Sequence, residues 1–147
     1  MQSNREKIRR LMIAINQIDE AYYKVLRILG INDNAFVLFY AIADGKSYSQ
    51  KRICDEWSVP RTTLNTIVQK YIGKGYIRLV STGHKEKEIV LTEEGKAFAK
   101  EVLTPILIAE EKVTAPLLKT IFVEQTEYLA EQLKSEFNKI KLPKRGE

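Results

Sequence analysis

The sequence predicts a mainly α-helical protein with a small β-hairpin wing: a winged helix-turn-helix lobe joined to a helical region built from both chain ends. Three observations carry this expectation. Apolar residues recur every three or four positions along the first thirty residues, two short helical patterns separated by a tight break occupy the middle of the chain, and two β-branched runs joined by a glycine-containing turn follow directly.

The first pattern is the seam Ile8, Leu11, Ile15, Ile18, Tyr22, Val25 and Leu29, with Arg9, Arg10, Asp19, Glu20, Lys24 and Arg27 off it. Heptad spacing places one apolar stripe along a helix, and Gly30 supplies a left-handed stop. So long a stripe exceeds what a small domain covers, so it predicts a subunit interface. Asn32 or Asp33 caps the next helix, which is apolar nearly all round from Ala35 to Ile42 and ends at Asp44-Gly45. A helix of that kind belongs at the centre of a domain.

Ser49 caps a short helix with Ile53, Cys54 and Trp57 expected inward, and after the break at Ser58-Val59 a second helix opens with Pro60. Leu64, Ile67, Val68 and Tyr71 form its inner face, and Gly73 and Gly75 close it. Two helices joined by so short a turn make a helix-turn-helix unit. Residues 77–80 and 88–91 then read as two strands of a hairpin. Thr92 caps a long helix with Glu93 and Glu94 in its first turn, and Pro105 is expected to kink it. Whether the chain breaks near Thr114-Ala115-Pro116 is left open by the sequence. The last helix, about 124–140, carries Leu129, Leu133, Phe137 and Ile140 on one stripe and is ended by Pro143. The whole chain, 1–147, is read as a single domain: 1–31 and 114–147 form the helical dimerisation region, and 32–113 form the winged-helix lobe with its connecting helix. The dimer-forming residues are Ile8, Leu11, Ile15, Ile18, Leu129, Leu133, Phe137 and Ile140.

Composition narrows the function. Hydrophobic residues make up 44% and charged residues 29% of the chain, the balance of an ordinary globular protein. No apolar stretch is long enough to span a bilayer, and the first residues lack a secretory pattern, so a cytoplasmic location is expected without membrane contact. A single cysteine, Cys54, and a single histidine, His84, offer no usual zinc site, and no cofactor is called for. The net charge is +5, and residues 44–92 hold nine Lys or Arg against five Asp or Glu. Nearly all the basic excess therefore lies in the helix-turn-helix and hairpin.

Within that stretch, the outward positions of the second helix are Arg61, Thr62, Asn65, Thr66 and Gln69, none apolar and none acidic. A helix that reads base edges needs hydrogen-bonding side chains and no carboxylates to repel phosphates. The hairpin tip adds His84, Lys85 and Lys87, diluted by Glu86 and Glu88. Ser49 and Gln50, opening the first helix of the unit, complete the DNA-facing set.

In this order of elements the sequence resembles the MarR family of bacterial transcriptional regulators, over most of the chain. The resemblance rests on the amphipathic first helix, residues 34–44 as a second helix, and 49–76 as a helix-turn-helix ending in Lys-Gly-Tyr-Ile. It also rests on the wing returning through Ile-Val-Leu, and on Leu91-Thr92-Glu93-Glu94-Gly95, close to a Leu-Thr-x-x-Gly signature. The resemblance implies a homodimer binding double-stranded DNA at a pseudo-palindromic operator, commonly as a repressor. It also implies release by a small phenolic or amphipathic effector bound between the dimer region and the DNA-binding lobe. By position it puts Arg61, Thr62, Thr63, Asn65, Thr66 and Gln69 on the recognition helix and Lys85 where the family usually has a wing arginine. Gly83 stands where the family usually has the aspartate that braces that arginine, and a lysine lacks arginine's planar fork. Tyr22, Tyr23, Phe39 and Tyr40 fall on the helices that border the family's effector pocket. Some members sense oxidants through a cysteine in the first helix, where this chain has none; Cys54 falls on a small buried position instead.

The alternative is a winged-helix protein-protein interaction module without direct DNA binding, which requires an apolar recognition face. An enzyme is not expected: no phosphate loop, metal spacing or base-nucleophile pair is present.

Overall fold

The computed structural model describes residues 1–141, so Pro143 and its expected role as a helix stop lie outside the described residues. Helix α1 (Asn4–Leu29) opens with a reciprocal cap in which the Glu6 amide donates to Ser3 Oγ at 3.2 Å and the Ser3 amide donates to Glu6 Oε2 at 2.9 Å. Gly30 ends it in the left-handed region, φ 71°, its amide donating to the Arg27 carbonyl. Of this long helix only Leu26 is buried; Ile8, Leu11, Tyr22, Val25 and Leu29 are half-buried, and Ile15 and Ile18 are exposed.

Helix α2 (Asp33–Ile42) is capped by Asn32, whose Oδ1 accepts from the Ala35 amide at 2.8 Å. Ala35, Phe36, Leu38, Phe39 and Ile42 are all buried, so this helix is the centre of the core, as its all-round apolar composition predicts. Phe39 meets Tyr71 edge-on at 4.8 Å between ring centres and Phe98 at 5.1 Å, tying α2 to the elements that follow.

Helix α3 (Gln50–Trp57) is capped by Ser49 Oγ and stops at Ser58, φ 53°. Helix α4 (Arg61–Gly73) follows, with Leu64, Ile67, Val68 and Tyr71 buried on its inner face. Two details differ from the sequence expectation. Pro60 is the residue before the first turn of α4 and not part of it, which serves the same end, since a missing donor there has no helical partner to lose. Trp57 is not inward: it is 38% exposed, its indole standing edge-on to Tyr40 at 5.7 Å at the border of a cavity.

The wing is a three-stranded antiparallel sheet and not a two-stranded hairpin. Strands β2 (Ile77–Val80) and β3 (Glu88–Leu91) pair from Ile77 with Leu91 to Val80 with Glu88, as read from the sequence. A two-residue strand, β1 (Tyr48–Ser49), adds to the other edge of β3, opposite Ile89 and Glu88. Two residues are too few to show alternation, and what holds them there is tertiary: the Tyr48 ring is buried, and its hydroxyl donates to Asp44 Oδ2 at 2.5 Å.

Helix α5 (Glu93–Leu117) is continuous through Pro105 and through 114–116, and helix α6 (Thr120–Asn138) follows. The chain forms two compact units that divide within α5 after Ile106. The first holds the core and the sheet. In the second, the α6 stripe residues Leu129 and Leu133 are half-buried, Phe137 and Ile140 are exposed, and no residue of α6 is buried. Among the described residues no single helix is long and apolar enough to cross a membrane.

Candidate nucleic-acid interface and the adjoining cavity

Helix α4 projects its outer face because its inner one is fixed: the four buried side chains at helical spacing leave Arg61, Thr62, Asn65, Thr66 and Gln69 exposed. Thr63 is half-buried, at the margin of that face. Thr66 Oγ1 donates back to the Thr62 carbonyl at 2.9 Å, which leaves its oxygen lone pairs facing outward. No side chain caps α4, so its leading amides have no intrahelical or capping acceptor.

An open cleft of about 340 Å³ runs between α3, α4 and the wing. It gathers Gln50, Arg61, Asn65 and Lys87 from the sequence-predicted set, and adds Lys51 and Glu86, which sequence reasoning left out. The other wing candidates, His84 and Lys85, are exposed at the tip but do not line it. Ser49 is spent locally: its Oγ accepts the Arg52 amide at 3.1 Å. Gly83 adopts φ 80°, a conformation an aspartate meets only with strain, so the tip geometry itself accounts for glycine there.

The charges of α3 are largely matched within the helix, Lys51 with Asp55 at 3.4 Å and Arg52 with Glu56 at 2.7 Å. Among the described residues neither Arg61 nor Lys87 is in an ion pair, so both offer their charge to an outside partner. The Arg52 guanidinium also lies 4.4 Å over the Tyr48 ring, bracing β1 against α3. The Tyr48 hydroxyl and the Lys46 amide hold the Asp44 carboxyl below the usual aspartate range, and the same hydroxyl bond pushes Tyr48 up. A depressed folded-state value means that the contribution is present above the unfolded value and is lost as pH falls through the folded one. Asp44→Asn is therefore expected to flatten the acid limb of the stability curve below about pH 4, where an unperturbed aspartate takes up its proton; unchanged acid unfolding midpoints in circular dichroism would contradict this.

Cys54 borders the cleft yet is 7% exposed, and burial pushes its thiol up. That is the environment of an inert packing cysteine rather than of a redox sensor.

A second cavity, about 620 Å³, lies between α1, α2 and the end of α3. One wall is a run of four rings: Tyr22 to Phe36 at 5.9 Å, Phe36 to Tyr40 at 5.1 Å, and Tyr40 to Trp57 at 5.7 Å. Tyr23 borders it as well, so three of the four predicted effector residues meet here. Phe39 does not. It is fully buried against Tyr71 and Phe98, whereas Phe36 and Tyr40, four apart and so one above the other on α2, border the cavity. Phe36, Trp57, Asp19 and Asp33 were missed; the four-residue spacing of Phe36 and Tyr40 was the available signal.

Comparison of this fold with solved structures gives a consistent answer. A MarR family regulator from Neisseria meningitidis superposes with a TM-score of 0.81 at 26% identity, over 92% of this chain and 99% of that one. The chain has the fold of the MarR family regulators. Other MarR-family folds are more distant in sequence. NadR, solved with 4-hydroxyphenylacetate, aligns at TM-score 0.61 and 17% identity over 87% of this chain and 98% of its own. The PcaV transcriptional regulator from Streptomyces coelicolor, solved with its natural ligand, aligns at 0.60 and 15% over 80% and 89%. No family model matches the sequence, and no curated protein matches it closely enough to align. The likeness to these regulators supports a regulator role for this chain.

Proposed function

We propose that the protein binds a pseudo-palindromic operator on double-stranded DNA as a homodimer, acting as a repressor that a small effector releases. The observation that carries this reading is the exposed, carboxylate-free outer face of α4, set beside a cleft in which, among the described residues, neither Arg61 nor Lys87 is in an ion pair. The uncapped amides opening α4 suit a phosphate, while Asn65 and Gln69 suit base edges. Two such helices enter successive major grooves when a dimer spaces them about 34 Å apart.

The apolar surface that one chain leaves open supports the dimer. Ile15 and Ile18 on α1, and Phe137 and Ile140 at the end of α6, remain exposed, whereas α4 exposes no large apolar residue. A face without apolar residues disfavours protein docking on α4 and favours solvated, polar recognition there. These residues support a subunit interface built from α1 and α6. Phe137→Glu is expected to shift the dimer toward monomer by at least tenfold in dissociation constant in analytical ultracentrifugation, since a carboxylate then faces apolar partner surface; an unshifted dimer would remove Phe137 from the interface.

Titration with the DNA flanking the protein's own gene, at salt from 50 to 200 mM, tests the main reading. Affinity is expected to fall by about a thousandfold or more across that range if six or more phosphates are neutralised. No complex at low salt, or a complex indifferent to salt, would refute it.

A further inference from the structure

The 620 Å³ cavity has a charge character that its aromatic wall alone does not fix. Its charged lining residues are Asp19, from α1, and Asp33, from the first turn of α2. Among the described residues no lysine, arginine or histidine lines it, in a chain whose net charge is +5. Neither carboxylate has a hydrogen bond or ion pair within the described residues. The Arg27 guanidinium stands 5.7 Å over the ring of Tyr23, a residue that lines the cavity.

We propose that this cavity binds a flat aromatic cation. The four-ring wall of Tyr22, Phe36, Tyr40 and Trp57 supplies stacking area and a negative π-face potential, which attracts a cationic ring or an alkylammonium group. The two carboxylates then supply the counter-charge. An aromatic carboxylate entering the same cavity meets repulsion and finds no cationic partner among its lining residues. The volume suits a ligand of two to four fused rings, within the range of small-molecule sites. The proposal rests on the effector reading for its regulatory consequence, but the binding step stands apart from DNA.

The test uses the full-length protein without DNA and two fluorescent three-ring probes of opposite charge, proflavine and anthracene-2-carboxylate. Anisotropy reports binding, and quenching of Trp57, the only tryptophan, reports its location. Proflavine is expected to bind at least tenfold more tightly than anthracene-2-carboxylate and to quench Trp57. Asp19→Asn, on the exposed face of α1, and the double variant with Asp33→Asn are expected to weaken proflavine stepwise, by about tenfold for the pair, while leaving the carboxylate probe unchanged or tighter. Because Asp33 also sits at a helix start, the single Asp19→Asn variant keeps the test valid if the double variant loses stability. The proposal is overturned if proflavine does not bind, if the carboxylate binds equally well, if Asp19→Asn leaves both affinities unchanged, or if proflavine binds without quenching Trp57. Retardation of DNA in the absence of probe is read separately, so failure here is distinguishable from failure of the DNA-binding reading.

Discussion

Arg61→Glu is expected to weaken operator binding about a thousandfold while leaving the fold as stable as before or slightly more so. The two effects run in opposite directions for physical reasons that sit at the same atom. Arg61 is the first residue of α4, exposed and without an ion pair among the described residues, so its side chain contributes little to folding. A carboxylate in a first turn interacts favourably with the helix dipole, by about 0.3–1 kcal/mol at low salt. On DNA the same substitution removes a cation and inserts an anion at the leading edge of the recognition helix. Loss of a single base or phosphate contact costs about 1–3 kcal/mol, and a dimer repeats the loss in both half-sites, giving about 4 kcal/mol, or a thousandfold. Thermal melting beside a retardation titration separates the cases. Retained affinity with an unchanged melting temperature would place the DNA-reading surface elsewhere on the molecule.

What the sequence revealed follows from how local each signal is. Strands β2 and β3 and the starts of α3 and α5 were legible to the residue, and that of α2 to the choice between Asn32 and Asp33, because each is set by a nearby cap or turn: Asn32, Ser49 and Thr92 all accept amides of the turns they open. Strand β1 was not legible, since its two residues are held by Asp44 and Arg52 through contacts that no period encodes. Trp57 was placed inward on the strength of size and spacing, yet its ring ends at a cavity border, where burial depends on the neighbouring helix and not on α3 alone. The candidate interface divides in the same way. The face of α4 could be read from helical spacing, whereas Lys51 and Glu86 join the cleft only because the wing folds back beside α3. In the aromatic cavity the choice between Phe36 and Phe39 was a question of which side of α2 meets α1. Composition is silent on that for a helix apolar all round.

Gly95→Ala is expected to destabilise the protein by about 3 kcal/mol, roughly a 10 °C fall in melting temperature, at a helical position where alanine ordinarily stabilises. The reason lies in the junction between wing and α5. The Thr92 amide donates to the Tyr76 carbonyl at 3.1 Å, Thr92 Oγ1 donates to the Gly75 carbonyl at 2.6 Å, and the Gly95 amide donates back to Thr92 Oγ1 at 3.0 Å. These bonds draw the first turn of α5 onto the 75–76 backbone. A Cβ on residue 95 would lie 1.9 Å from the Tyr76 carbonyl oxygen, well inside van der Waals contact and against main chain that cannot rotate away. Tyr76 is itself held by its ring stacked on Phe98 at 4.7 Å, so relief requires breaking the threonine bridge or shifting the helix. That is a physical reason for the Leu-Thr-x-x-Gly pattern: threonine makes the bridge, and glycine permits its closeness. Gly73→Ala is the matched control, because a Cβ there meets nothing within 4 Å and its φ is not positive. It is expected to leave stability unchanged or raise it by up to about 1 kcal/mol. Equal melting temperatures for the two variants would mean that α5 is not seated on the Tyr76 carbonyl, and the link between wing and long helix would have to be sought in the aromatic packing alone.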